Sequence, residues 1–302
     1  MRLSVTESKT QNACTAPPRH TEIIPQSFHH HHHPSPVMLV HEFQIPLNMD
    51  VPEFQIAELF MVMDSKNDTS RGAQSIEVLK NEPYDNTEGQ LGDVSPISNC
   101  KIPLNKGQYT LKKYLLADLP PYLAVLFPKG SLTLIEEAWN AYPHCYTYIT
   151  SSYFLKHKFY ISCDSIHLPG ACTEANAFAL AADELKRRSV EVIRIENDLH
   201  PAAATDVHPT TYKCTKTGRG PLAPGWETRA SPVMTCYKLL RVQFDYLGFQ
   251  GKMENVIREQ HLKVFHTSSR KATCMSDRWY GLTVDDIRDM EAEQASAAEA
   301  AV

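Results

Sequence analysis

An α+β fold is expected for this chain: a strand, a helix, a long succession of strands, then a long helix and a capping helix. That order rests on hydrophobic periodicity. Segments such as Gly107–Tyr114, Lys158–Ile166, Val190–Ile195 and Val233–Phe244 alternate their side chains at the period of two that a strand needs. Met253, Val256, Ile257, Val264 and Phe265 recur at helical spacing near the C-terminus. The order selects a class, and by itself no particular fold.

Composition narrows the function. The 302 residues are 42% apolar and 22% charged, ordinary for a globular protein with a sizeable core. A net charge of −5 argues against a general nucleic-acid binder, which needs a basic footprint. No run approaches the roughly 18 apolar residues of a membrane span, and the N-terminus has no apolar signal-peptide core. Eight cysteines, without a CxxC pair or metal-like spacing, fit reduced thiols in a cytoplasmic protein. No GxSxG elbow occurs, and His41-Glu42 lacks the second histidine of a zinc-binding HExxH, so no enzyme is expected.

In chain order, residues 1–37 lack apolar periodicity and hold a run from His29 to His33. Such a tract could chelate a metal; a disordered extension is the expectation, with no metal site assigned. Met38 opens a strand. Asp50-Val51-Pro52-Glu53 has the makings of a helix start, with Glu53 placed as a capping-box acid and Pro52 tolerated in the first turn. Phe54, Ala57, Phe60 and Met61 then share a face, flanked by Leu59 and Val62, and the helix is expected to fray near Ser65–Asp68. Ser75–Leu79 reads as a short strand. Residues 85–106 are polar and turn-rich, a loop insertion of the kind that exposed tips tolerate because loop entropy grows only logarithmically.

In Gly107–Tyr114, Thr110, Lys112 and Tyr114 point the same way. Trp139–Cys145 packs a large aromatic, an amide, a rigid turn and a thiol into seven residues. On its own it reads as an aromatic-pinned start of a strand that places Cys145, Thr147 and Ile149 on one face. Strands are expected at Tyr146–Phe154 and Lys158–Ile166, the second presenting Phe159, Ile161, Cys163 and Ser165 together. Ala177–Arg188 reads as a helix ending in basic residues, and Val233–Phe244 as a strand with Lys238, Leu240, Val242 and Phe244 on one face. Thr283-Val284-Asp285-Asp286 caps a last helix, with Leu282 and Ile287 as its hydrophobic staple.

Three of these motifs, WNAYPHC at Trp139–Cys145, GQYTLKKY at Gly107–Tyr114 and KTGRGPLAPGW at Lys216–Trp226, resemble in the same order the phosphatidylinositol transfer proteins. The resemblance runs from Met38 onward and defines the second of two regions, 38–302. It implies a helix-grip, START-like fold: a curved, mostly antiparallel sheet wrapped round a lipid cavity that long helices close. It further implies a monomeric carrier with no cofactor other than its phospholipid ligand, phosphatidylinositol or phosphatidylcholine, exchanged between membranes during transient surface contact. A phosphoinositide-sensing adaptor that binds lipid without shuttling it is the alternative.

Carried over residue by residue, the resemblance assigns inositol binding to Thr110, Lys112, Asn140 and Glu291. Glu291 also follows Ile287 by one turn, on the face expected to pack inward, where a carboxylate needs a partner such as Lys112. Phosphate and headgroup contacts fall on Glu58, Cys145, Thr147, Ser165 and Lys238. Family members carry Gln at the first of these, and an ionised Glu58 would repel a phosphodiester. Membrane docking falls on Tyr246 and Leu247, where relatives place two adjacent tryptophans. Cys214 stands where relatives often carry a phosphorylatable serine. The chain also stops soon after its last helix, without the longer tail of many relatives, a second feature bearing on membrane affinity.

Overall fold

The computed structural model of the protein describes residues 38–66, 75–116, 132–199, 207–246 and 248–300. The His29–His33 run and Leu247 lie outside that set. Eight strands, β1 (Leu39–Leu47), β2 (Ser75–Asp85), β3 (Lys106–Leu116), β4 (Leu132–Ala141), β5 (His144–Thr150), β6 (Phe159–Pro169), β7 (Ser189–Val192) and β8 (Met234–Phe244), form one sheet in the order β2-β3-β4-β5-β6-β8-β1-β7. Neighbours are antiparallel except β1 with β7. Among the described residues the α-helices are α1 (Val51–Lys66), α2 (Ala182–Arg187), α3 (Gln250–Cys274), α4 (Ser276–Trp279) and α5 (Val284–Ala300). This is the expected α+β helix-grip architecture. Among the described residues no helix is long and apolar enough to cross a membrane.

Both expected capping boxes form. The Asp50 amide donates to Glu53 Oε2 and the Glu53 amide to Asp50 Oδ1, each at 2.8 Å. The Thr283 amide donates to Asp286 Oδ2 at 2.7 Å, and the Asp286 amide to Thr283 Oγ1 at 3.1 Å. These side chains satisfy amides that helix starts leave without partners. Between the helices and one end of the sheet lies the main core. Phe43 and Ile45 of β1 and Leu240 and Val242 of β8 meet Phe54 and Phe60 of α1, Met253 and Ala272 of α3, Trp279 and Ile287. The pair His41-Glu42 is structural. His41 bonds Ser189 and Glu191, and the buried Glu42 carboxylate accepts from Arg188 at 2.6 Å.

Several expected boundaries move. On α1 it is Met63, 1% exposed, that is buried with Phe54, Ala57 and Phe60, while Met61 is only partly covered. This helix packs against β6 on one side and α3, α4 and α5 on others, so its buried surface is wider than one stripe. Strand β2 continues past Leu79 through Pro83 to Asp85. A proline is tolerated there because β2 is an edge strand, with one side free of ladder bonds. The expected helix over 177–188 shrinks to Ala182–Arg187, since it buries none of its residues and Asn176 closes the chain before it through bonds with the Leu180 amide and carbonyl. Strand β5 stops at Thr150, where Ser151 Oγ donates to the Thr133 carbonyl and turns the chain. Strand β7 stops at Val192, because Ile193 and Ile195 turn into the core. Val264 on α3 is exposed rather than buried.

The 86–105 segment is folded against the sheet. Its Cys100 and Ile102 pack with Tyr84, Trp139 and Tyr148 on the face opposite the helices, and Ser95 Oγ donates to the Glu137 carboxylate at 2.8 Å. Trp139 and Cys145 belong to separate strands, joined by a turn at Tyr142-Pro143.

Candidate functional site: a polar floor across five strands

Alternation along each strand decides which side chains face the helices, and register decides which of them meet. One row across the sheet reads Gln108, Asn140, Cys145, Ser165, Lys238. The next reads Thr110, Ala138, Thr147, Cys163, Leu240, and the one after it Lys112, Glu136, Ile149, Ile161, Val242. Thr110, Lys112, Asn140, Cys145, Thr147, Ser165 and Lys238, spread over 129 positions of sequence from Thr110 to Lys238 counted inclusively, thus occupy three adjacent rows on one face. Glu58 approaches from above. Phe54, one turn before it on α1, meets the His167 ring of β6 at 5.0 Å, and the Tyr142 hydroxyl donates to the Val51 carbonyl.

Lys238 Nζ donates to Ser165 Oγ at 3.1 Å and lies 5.1 Å from the centre of the Phe265 ring of α3. Lys112 Nζ donates to Glu136 at 3.1 Å, and the Tyr114 hydroxyl donates to the other Glu136 oxygen at 3.0 Å. Asn140 Nδ2 donates to the Gln108 carbonyl at 3.3 Å. Glu58, Cys145, Thr147, Cys163 and Lys238 keep accessible surface although sheet and helices enclose them. The space between sheet and helices is therefore not filled by side chains.

Enclosure sets the protonation of this floor. Burial raises the Glu58 carboxyl above the usual range, with the Lys238 ammonium opposing it. Burial works against the Lys238 charge as well, but Cys236 and Glu58 favour it and its pKa is held up. Burial pushes the Cys145 and Cys236 thiols up to about 12 and the His167 ring down to about 3. At neutral pH the thiols are protonated and poor nucleophiles. His167, with both ring nitrogens unpaired and buried, is neutral, stacked on Tyr142 at 4.9 Å.

The other described residues of the prediction come from outside these rows of strands. Glu291 of α5 accepts from Arg288 at 2.6 Å, and the carboxylate paired with Lys112 is Glu136. Tyr246 packs on Phe154 and Phe244, with Lys158 over its ring, and its hydroxyl accepts from the Leu155 amide at 3.3 Å. A separate recess of about 440 Å³, lined by Asn48, Arg219, Trp226 and Arg229 among others, contains none of the predicted residues.

Comparison with known proteins decides the family. The family described as phosphatidylinositol transfer protein matches residues 38–296. Phosphatidylinositol transfer protein 2 of Dictyostelium discoideum is 40% identical over 259 residues, covering 85% of this chain and 93% of the relative. The human phosphatidylinositol transfer protein beta isoform is 35% identical over 268 residues, covering 85% and 92%. The chain belongs to the phosphatidylinositol transfer protein family.

Within that family fold, sequence reasoning missed part of the floor. Cys236 shares a face with Lys238 by simple alternation, and His167 with Ser165, so both could have been found from spacing. Glu136 could not, because only the β3–β4 register sets it opposite Lys112.

Proposed function

We propose that the protein carries one phospholipid at a time between membranes, with phosphatidylinositol and phosphatidylcholine as cargo. The observation that carries this reading is the polar floor facing enclosed, unfilled space in a chain of this family. Polarity along the sheet suits a two-chain lipid. On β6 and β8 the positions beyond Lys238 turn apolar, through Ile161 and Val242 to Phe159 and Phe244. From Lys238 to Phe244 a strand rises about 20 Å, roughly the reach of an extended acyl chain. Exposing two such chains to water would cost on the order of 20 kcal/mol, from about 30 methylenes at ~0.8 kcal/mol each. A carrier that covers them removes that barrier to exchange.

Thr110, Lys112 and Asn140 would pair inositol hydroxyls, joined by Glu291 from α5. Lys238, Ser165 and Thr147 would meet the phosphate, with Cys145 and Glu58 alongside. Tyr246 and Leu247 would touch the membrane, next to the exposed Leu155 and Phe249. The carrier would act as a cytoplasmic monomer, peripheral to the membrane only while it exchanges lipid. A vesicle-to-vesicle assay with labelled lipids tests this. Transfer of both lipids is expected; binding without transfer would identify a sensor instead.

A further inference from the structure

The 86–105 segment spans the outer face of the sheet from one end to the other. It leaves β2 and enters β3 at the Asp85–Lys106 rung, at the end of the sheet where β4 turns into β5. From there it runs over Trp139 and Tyr148. Its turn at 95–100 ends beside the β5–β6 connection, where Lys156 Nζ donates to the Ile97 carbonyl. Residues 151–158 are fastened to the chain that follows β8. The Leu155 amide donates to the Tyr246 hydroxyl, the Asp245 amide to the Lys158 carbonyl, and the Phe249 amide to the Tyr246 carbonyl. Three segments far apart in sequence thus share the end of the sheet at which Tyr246 and Leu247 would touch the membrane.

This end exposes large apolar side chains: Val94 is 50% exposed, Ile97 37%, Tyr153 49%, Leu155 58% and Phe249 39%. The backbone of the turn is bonded from within. Ser95 Oγ accepts from the Ile97 and Ser98 amides, Ser98 Oγ from the Cys100 amide, and the Ser95 carbonyl from the Asn99 amide. Ser95 Oγ also donates to the buried Glu137 carboxylate, which anchors the turn to β4. Residues 93–101, 151–158 and 245–252 hold four lysines and two aspartates, a local positive excess on a chain whose net charge is −5. Apolar tips with internally bonded amides, set among lysines, suit the interface of a bilayer that carries anionic headgroups. We propose that the turn at 94–99 is a second membrane-docking element, which sets Val94 and Ile97 into the facing leaflet beside Leu155 and Phe249. The inference rests on the carrier function proposed above and extends its docking surface beyond the Tyr246 loop. Leu104, also exposed, takes no part. It lies beside Gly89, next to the Asn86–Asn105 backbone bond at the opposite end of the sheet.

Tryptophan quenching tests the docking element, because the three native tryptophans, Trp139, Trp226 and Trp279, are all buried. Ile97→Trp and Leu104→Trp are each mixed with vesicles of phosphatidylcholine and phosphatidylinositol in which part of the phosphatidylcholine is brominated. Emission of Ile97→Trp should shift to the blue and be quenched, and emission of Leu104→Trp should stay as it is in buffer. Val94→Ser with Ile97→Ser should weaken association with the same vesicles roughly tenfold, since two half-exposed aliphatic side chains lose their burial in lipid. The Tm of that variant without vesicles should match the wild type. Equal quenching at 97 and 104, or none at 97 while the wild-type protein still transfers lipid, overturns the proposal and leaves the carrier function standing. A blue shift of Ile97→Trp that needs no vesicles and grows with protein concentration also overturns it, by showing that a second copy covers the turn. Should Ile97→Trp not fold, Val94→Trp gives the same readout. Absence of both transfer and vesicle association in the wild-type protein overturns the carrier function and this inference with it.

Discussion

Glu136 and Glu137 are neighbours on β4, yet the two faces of the sheet hold them in opposite ways. Glu136 faces the helices, takes one ammonium and one phenol, and is 15% exposed beside a Lys112 that is 34% exposed. Glu137 faces away, is 1% exposed, and accepts only hydroxyls, from Ser95 and Tyr109. The 86–105 loop seals the second, and among the described residues nothing comparable seals the first. A buried carboxylate closed in by donors from its own chain stabilises a structure; one beside accessible space, with its cation still reachable, is available to a ligand.

Substitutions on the two faces should therefore fail differently. The largest effect is expected for the proposed inositol-binding residues, three on the inner face and Glu291 on α5. Thr110→Glu, Lys112→Ala, Asn140→Phe or Glu291→Lys should each lower phosphatidylinositol transfer by ten- to a hundredfold or more, since losing one hydrogen bond to a charged group costs about 1.5–3 kcal/mol. Phosphatidylcholine transfer and Tm should stay near wild type. Parallel loss of both lipids in all four variants would make these residues structural and erase the contrast between the faces.

On the outer face, Glu137→Ala strands the Ser95 and Tyr109 donors and should cost about 3 kcal/mol. Thermal melting should show a Tm lower by roughly 6–12 °C, with transfer of the two lipids declining together. An unchanged Tm would show that the loop does not depend on that carboxylate.

A smaller difference separates Cys145 on the inner face from Cys100 beneath the loop, two thiols that burial pushes up to about 12 alike. Membranes should open only the inner site. A bulky maleimide, followed by mass spectrometry, should modify Cys145 severalfold faster when vesicles are present and Cys100 at an unchanged rate. Inactivation of Cys145→Ala at the wild-type rate would place the sensitive thiol elsewhere. The smallest effect is expected from Tyr246→Ala with Leu247→Ala. Vesicle association and transfer of both lipids should drop a few-fold together, because docking precedes headgroup choice; undiminished transfer would remove this loop from the docking surface.

Local chemistry was legible throughout. Asp50 with Glu53 and Thr283 with Asp286 mark their helix starts by residue type and spacing alone, since a cap is made within four residues. Alternation likewise put Thr110 with Lys112, and Ser165 with Cys163, on common faces before any strand had a neighbour. The pairing of Lys112 was not legible. Glu291 was the expected partner because a helix-face carboxylate needs one, but 24 residues away along the chain Glu136 lies directly across the ladder.

The same division runs through the whole molecule. The sequence by itself determined element type, facing direction and the chemical kinds of residue at the site, because those depend on interactions within a turn of helix or a few strand residues. The tertiary structure alone decided that three rows of five strands meet beneath Glu58, that α1 is buried on several sides through Met63, and that β2 runs through Pro83 to the sheet edge. These are outcomes of register and packing, where each contact depends on how distant segments settle against one another.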